Sequence, residues 1–469
     1  MSRRAWLLLP LLAAWACAGT PVWEQPPPPV VDAPVVQPNA LHRAELENGL
    51  RILVLEDHRL PRMALSLTVR RGEASVESSQ AGLASFTAEL MKRGAGRRDA
   101  LALASAVDEI GASLGVSAGW DSMGVGVAGL SRDEDRLFAI LADVVLKPRF
   151  EPREAVRARS ERLAQLEGAK DDPGTLLSWY AASALYPGHR YGVPAEGTPT
   201  SVERFDAALA RDLHRRFFVP GDAVLAAVGD VEAQDVIERA RRAFGGWPRG
   251  NVVPPGEPPA AQVPPARRVL VVDRPELVQA RILIAHEGIA RGDPDRVAAS
   301  LLNSVLGGSG FSSRLMARVR SEAGLTYSVG SGFSLRRTPG PFVVSTFTRV
   351  PEVRRAIDLL LSELARARSQ PPAEAELGPA RTLAVGEFSL GLETSEAVMA
   401  SLVELDVYGL PEDGLDSYRG RVRAVSEGEI AALAQRLLHP ERTVILLVGP
   451  ARELTPQLEG LGPVEVVQP

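Results

Sequence analysis

From residue 41 onward, stretches in which every second residue is apolar alternate with stretches in which apolar residues recur every three or four positions. Arg51-Ile-Leu-Val-Leu55 follows the turn signal Glu47-Asn48-Gly49-Leu50 and predicts a strand, and residues 63–70 alternate and predict a second. Leu83, Phe86, Thr87, Leu90 and Met91 fall on one stripe of a short helix between Gly82 and Gly94, with Ser85, Ala88 and Glu89 on its other side. Helical spacing returns at 100–110, at 133–146 and, in a highly charged form, at 153–167. Residues 113–130 are small, glycine-rich and alternating, which predicts paired strands. Asp172-Pro173 supplies a capping side chain and a first-turn proline for a helix whose body and exit carry Trp179, Tyr180, Leu185 and Tyr186. Residues 223–230 predict a buried strand, and 236–244 a closing helix.

The order then repeats. Arg268-Val-Leu-Val-Val272-Asp273 echoes Arg51 to Glu56, and Thr443 to Pro450 echoes Ala223 to Asp230. Between them, Asp293-Pro294 opens a helix to Leu306, Gly307-Gly308 marks a turn, and Thr346 onward leads to further helices. Residues 247–265 contain Pro254-Pro255, Pro258-Pro259 and Pro264-Pro265 and are too long for an ordinary turn, so they read as a linker. The resulting division is a leader over 1–17, a proline-rich tether over 18–40, a first domain over 41–246, a linker over 247–266, a second domain over 267–450 and a tail over 451–469. Each domain is an α+β unit of about 200 residues.

Composition narrows the function classes. With 469 residues, 45% hydrophobic, the chain can bury two or three ordinary cores. A net charge of -5 without basic clusters in the body argues against nucleic acid as a partner. The N-terminus has Arg3-Arg4, a mostly apolar run from Ala5 to Ala16, and then Cys17, the chain's single cysteine. That run is short for a membrane span, and one cysteine allows neither an internal disulfide nor a thiolate cluster. A cysteine placed directly after such a run is the lipidation signal of bacterial lipoproteins, although Ala14-x-Ala16 also suits simple secretion. Lipidation at Cys17 is the reading preferred. It places the protein in the cell envelope, on the outer membrane facing the periplasm, with secretion to the periplasm as the alternative.

Candidate chemistry is sparse. No two of the six histidines, His42, His58, His189, His214, His286 and His439, lie three to five positions apart. His286-Glu287-Gly-Ile-Ala290 misses a metal-binding pattern by its last residue and follows a strand-like run. Gly307 to Ser313 lacks the Gly-Lys-Ser/Thr of a phosphate loop. Ser85 has no neighbouring histidine to act as its base.

The run Gly82-Leu-Ala-Ser-Phe-Thr-Ala-Glu89 resembles the zinc helix of the insulinase, pitrilysin and mitochondrial-processing-peptidase family. In that family Gly-Leu-Ala leads into His-x-x-Glu-His, two zinc ligands around a general base. On this alignment Ser85 and Glu89 stand at the histidine positions and Ala88 at the base, while Gln165, ahead of Asp171-Asp172-Pro173, stands at the third ligand. A zinc hydrolase needs about three good ligands, an open water position and a base. The resemblance therefore implies a chain with no zinc of its own. It also implies the fold: α+β, two homologous insulinase-like domains, each an antiparallel-rich sheet with helices packed on it, joined by the proline-rich linker around a clam-like chamber.

The second half keeps what the first has lost. Arg320-Ser-Glu-Ala-Gly-Leu-Thr-Tyr327 matches the family's Arg-x-x-x-Gly-Leu-x-Tyr, whose arginine and tyrosine bind the substrate backbone and the developing oxyanion. A guanidinium and a phenol are donors suited to that task. The bland alternative pairs Arg320 with a surface acid and packs Tyr327 in a strand. In the family's bacterial two-chain members one chain carries zinc and the other this pair. The resemblance thus implies a subunit inactive alone, in a heterodimer with a zinc-bearing sibling, acting on unfolded or short peptides. The runner-up is a peptide-binding or scaffold protein of the envelope without enzymatic activity.

Overall fold

The longest apolar runs form the centre of two sheets. Every residue of Ala223–Gly229 and of Val444–Gly449 is buried, as expected of strands covered on both faces. The structure, a computed structural model, describes residues 33–37, 39–250 and 265–469. The predicted leader, Cys17 and most of the two proline-rich tracts lie outside these residues. Val35–Pro469 belong to one compact unit.

Strands Leu41–Glu45 (β1), Arg51–Glu56 (β2), Arg62–Val69 (β3), Ser113–Ala118 (β4), Met123–Leu130 (β5) and Ala223–Gly229 (β6) form the first sheet, in the order β1-β2-β6-β3-β5-β4. Strands Arg268–Asp273 (β7), Gln279–Glu287 (β8), Val329–Phe333 (β9), Pro341–Arg349 (β10), Val444–Gly449 (β11) and Val464–Val467 (β12) form the second, in the order β9-β10-β8-β11-β7-β12. Starting from β2 and from β7 the two orders coincide: β2-β6-β3-β5-β4 against β7-β11-β8-β10-β9. In both, the first and last strands of the unit pair in parallel, with Arg51 opposite Val224 and Arg268 opposite Val444. The sheets differ in the outermost strand, which is β1 in the first half and β12 in the second.

Helices Leu83–Met91 (α1), Ala100–Asp108 (α2), Glu134–Leu146 (α3), Pro152–Ala169 (α4), Pro173–Leu185 (α5), Ala207–Phe217 (α6) and Ala233–Phe244 (α7) belong to the first half. Arg296–Asn303 (α8), Val353–Ser369 (α9), Glu374–Leu390 (α10), Ser395–Tyr408 (α11) and Glu427–Leu437 (α12) belong to the second. Strand side chains alternate between faces, so each sheet feeds two cores. Ile52, Val54, Leu225 and Ala227 face helices of their own half, whereas Leu55, Val224, Ala226 and Val228 face Val398, Met399, Leu402 and Leu405 of α11. The second sheet mirrors this. Ile445 and Leu447 face its own helices, and Val444, Leu446 and Val448 face Leu176, Leu177, Ala181 and Leu185 of α5. Each half thus lends one helix to the other's sheet. Full burial of one such leucine contributes about 1.5–3 kcal/mol, so these helices fasten the halves together.

Several boundaries differ from the sequence reading. The run read as a tail contributes β12, because Val464 and Val467 register against Val269 and Val272 and cover an otherwise open strand. The end of the tether joins the body: Val35 and Val36 lie against the α11 core, and the Val35 amide donates to Asp416 Oδ1 at 2.7 Å. Trp247 packs on the first core and accepts a hydrogen bond from Asn48. The helix predicted up to Leu306 runs as α8 to Asn303 and continues as a π-helical turn, Ser304–Gly308, that absorbs the expected glycine turn. Gly307 is required there, since a Cβ would sit 2.4 Å from Ser331 Oγ on β9. Thr346, read as leading toward helices, lies within β10. Ala88, placed on the open side of its helix, is 3% exposed, because α4, α6 and β4 enclose α1 from several sides.

Candidate functional site

Gly82 begins α1 with φ +91°, and a Cβ there would lie 2.6 Å from the Glu196 carbonyl oxygen, so the entry turn excludes other residues. The first amides of the helix are satisfied by a carboxylate in the core. Glu73, fully buried, accepts from the Gly82 amide at 3.2 Å and the Ser85 amide at 2.9 Å. The same carboxylate pairs with Arg190 at 2.7 Å, whose guanidinium lies over the Trp120 ring.

At the three positions aligned with the zinc helix the side chains are already engaged or apolar. Ser85 Oγ donates to the Gly82 carbonyl at 3.0 Å and accepts from Arg162 Nη1 of α4 at 3.3 Å. Ala88 is buried among apolar side chains. Glu89 binds Lys92 at 2.7 Å and Arg93 at 2.7 Å, and Arg93 continues to Glu161 of α4 at 2.5 Å. Burial pulls the Glu89 carboxyl upward, but Lys92 and Arg93 outweigh it and leave it below the ordinary carboxylate range. The structure brings Glu161 and Arg162, rather than Gln165, against α1; Gln165 is exposed. Zinc requires a set of lone pairs in a neutral or negative cradle. Here the cradle holds two guanidinium groups and a hydroxyl already engaged by one of them, so the residues present do not fit the ion. Among the described residues no group of three or more His, Cys, Asp or Glu side chains is placed to hold a metal.

In the second half Arg320 lies in the last turn of a π-helical segment, Met316–Glu322, an irregularity frequent at functional sites. The chain then turns through Gly324, and three threonines fix the next residues, two of them from β10. Thr348 Oγ1 donates to the Leu325 carbonyl at 2.6 Å, Thr346 Oγ1 to the Ser328 carbonyl at 2.8 Å, and Thr326 Oγ1 accepts from the Ser328 amide at 3.1 Å. These bonds leave Tyr327 outside the strand and 74% exposed. The Arg320 guanidinium lies 5.0 Å from its ring centroid and 4.3 Å from that of Phe311, which is 71% exposed. Arg314 and Arg318 in the same stretch pair with Glu376 and Glu322, but among the described residues Arg320 has no acidic partner. A cation held between two rings keeps its N–H groups available for an incoming oxygen.

Sequence reasoning missed Glu73, Arg190, Arg162, Arg93 and Phe311. None belongs to a motif, and the contacts of Glu73 with Arg190 and of Ser85 with Arg162 join residues far apart in sequence.

Two repeated α+β units with exchanged helices, a helix whose polar positions are engaged by Arg162 and Arg93, and a half-buried arginine beside an exposed tyrosine go with a peptidase-type fold. The description Insulinase (Peptidase family M16) matches residues 51–198, and Peptidase M16 inactive domain matches residues 204–383. An uncharacterized zinc protease of Streptomyces coelicolor is 26% identical over 418 residues, covering 88% of this chain and 90% of that protein. One of Mycobacterium tuberculosis is 28% identical over 429 residues, covering 90% and 97%. The crystal structure of a peptidase M16 inactive domain from Pseudomonas fluorescens superposes with a TM-score of 0.82 at 27% identity, covering 87% of this chain and 98% of that one. A Helicobacter pylori protease shares the fold, with a TM-score of 0.80 at 16% identity, covering 87% and 99%. The chain belongs to the insulinase family, peptidase family M16, with the family's inactive domain matched from α6 of the first half through α9 and into α10 of the second.

Proposed function

We propose that this chain is the arginine- and tyrosine-bearing subunit of a two-chain zinc peptidase, inactive alone and completed by a sibling that supplies His-x-x-Glu-His and the zinc. The observation that carries the reading is the contrast between the two halves. The cradle around Ser85 and Glu89 is filled by Arg162 and Arg93, whereas Tyr327 stands exposed and the half-buried Arg320 lies against two rings without a counter-charge. In this role Arg320 and Tyr327 donate hydrogen bonds to the backbone of an unfolded or short peptide and to the oxygen that gains charge as the peptide bond is attacked. An envelope location with a lipid anchor at Cys17 belongs to the same proposal.

The test is the peptidase rate of the purified pair. Removing one oxyanion donor lowers turnover on the order of a hundredfold, so Arg320→Ala is expected to do so with the pair still co-eluting. An unchanged rate sinks the subunit assignment and leaves a non-enzymatic peptide-binding or scaffold role.

A further inference from the structure

A cleft of about 600 Å³ lies between α5 and the second sheet. Its floor is made by alternate residues of β8 and β10, among them Leu283, Val343 and Phe347, and its roof by Leu177 and Ala181 of α5. No aspartate or glutamate lines it. At the end where Ser334 and Pro341 close the cleft stands Arg336, from the loop between β9 and β10.

Arg336 is held in place yet not neutralised. Its guanidinium lies 4.2 Å from the Trp120 ring centroid and 4.3 Å from that of Tyr191. Nη1 is buried without a hydrogen-bond partner, and among the described residues no carboxylate forms an ion pair with this side chain. Asp121 is the acid whose charge reaches it, but Oδ2 of Asp121 already accepts from the Arg337 amide at 2.9 Å and the Tyr408 hydroxyl at 3.0 Å. The two fully buried arginines among the described residues have acids of their own: Arg190 has Glu73, and Arg71 has Asp222. A half-buried guanidinium without a counter-charge at the end of a cleft is costly unless an anion arrives, whereas the other cation of the lining, Arg281, is exposed to water at the far end beside Phe347.

The opposite end of the cleft is lined by Thr346, Phe347 and Ser328, the last of which follows Tyr327 in the chain. β9 is the edge strand of its sheet, and Gly330 and Ser328 border the cleft, so backbone groups without a neighbouring strand run along its rim. From Ser328 to Ser334 the extended chain covers about 20 Å, at about 3.3 Å per residue.

We propose that this cleft binds the C-terminal end of an extended, largely apolar peptide of about six residues, with the terminal carboxylate on Arg336 and the chain directed toward Tyr327. The assignment rests on the peptide-handling role argued above and adds an anchor that fixes how far a peptide's end lies from the Arg320–Tyr327 pair. Arginine meets a carboxylate through two parallel N–H bonds, which an amide cannot accept in the same way.

The experiment is fluorescence anisotropy on the purified full chain, without partner or zinc. The probes are an N-terminally labelled leucine- and alanine-rich hexapeptide with a free C-terminus, its C-terminal amide, and decanoate as competitor. The free acid is expected to bind at least tenfold more tightly than the amide. Arg336→Gln is expected to abolish that preference, Arg336→Lys to retain part of it, and Ser345→Trp, at an exposed floor position, to weaken both forms with the melting temperature unchanged. Equal affinity of acid and amide for the wild type overturns the proposal, as does an Arg336→Gln chain that keeps the preference. If Arg336→Gln fails to fold, Ser345→Trp decides: undiminished binding overturns it. Displacement by decanoate at equal concentration also overturns it, by assigning the cleft to a free fatty acid. The readout needs no partner, so a failed heterodimer assignment leaves it intact, and a failed anchor leaves the Arg320 assay untouched.

Discussion

Glu73 and Arg190, both buried and 2.7 Å apart, combine a charge pair with the N-terminus of α1. Glu73→Gln keeps the shape but leaves Arg190 without its counter-charge. Breaking a buried pair from one side costs about 3–5 kcal/mol, which urea denaturation should register as a lower midpoint with the slope retained. An unchanged midpoint would show that water screens the pair. His214 offers a pH test. Its ring stacks on Phe218, its Nε2 bonds the Val145 carbonyl at 2.8 Å, and burial pushes its pKa down to about 4 from 6.5. Between those values the unfolded chain takes up a proton that the folded chain refuses. Stability therefore falls as pH drops from about 6.5 to about 4, by on the order of 3 kcal/mol for this group, and does not fall further on its account below that. His286, whose neighbours are His439, Glu441, Arg442 and Glu287, is pushed to about 4 by burial as well and adds to the same trend. Melting curves of His214→Phe should show a shallower loss over this window than wild type. A parallel loss would mean that the imidazole is not held neutral. The burial and the partners of these residues were not legible in the sequence, because buried charge is distinguished from surface charge by groups that the fold brings from elsewhere.

At the level of elements, periodicity was a good guide wherever one face met a core and a poor one where two faces did. α3, α7 and the β4–β5 hairpin follow their patterns closely. α1 buries Ala88 as well as its apolar stripe, and small size rather than polarity marks that side. On α1 the absence of histidine and glutamate was legible in the sequence, since Ser85 and Ala88 cannot do their work. The engagement of Ser85 and Glu89 by Arg162 and Arg93 was not, because a guanidinium in a charged stretch looks like a solvated surface residue. Likewise Arg320 and Tyr327 stood out by spacing, whereas Phe311 and the three threonines that set their geometry carried no signal.

The repeated strand order of the whole molecule was announced by two pairs of similar apolar runs, but not the exchange of α5 and α11 between the sheets. Their apolar residues are as consistent with packing at home as with packing abroad. The exchange predicts that a chain cut within 251–264, co-expressed as two fragments, yields halves that co-elute in size-exclusion chromatography. The Arg51–Asp406 ion pair and the two apolar layers remain to hold them. Fragments that elute separately would show that the linker, not the helices, keeps the halves together.

That exchange also speaks to descent. Two copies of one unit, each reaching across to complete the other, form the arrangement of a two-fold symmetric dimer in which residue i meets j and j meets i. A single polypeptide that retains it contains the interface of such a dimer, fused end to end. Once fused, the copies no longer had to be identical, so their surfaces could diverge while the shared interface still constrained them both.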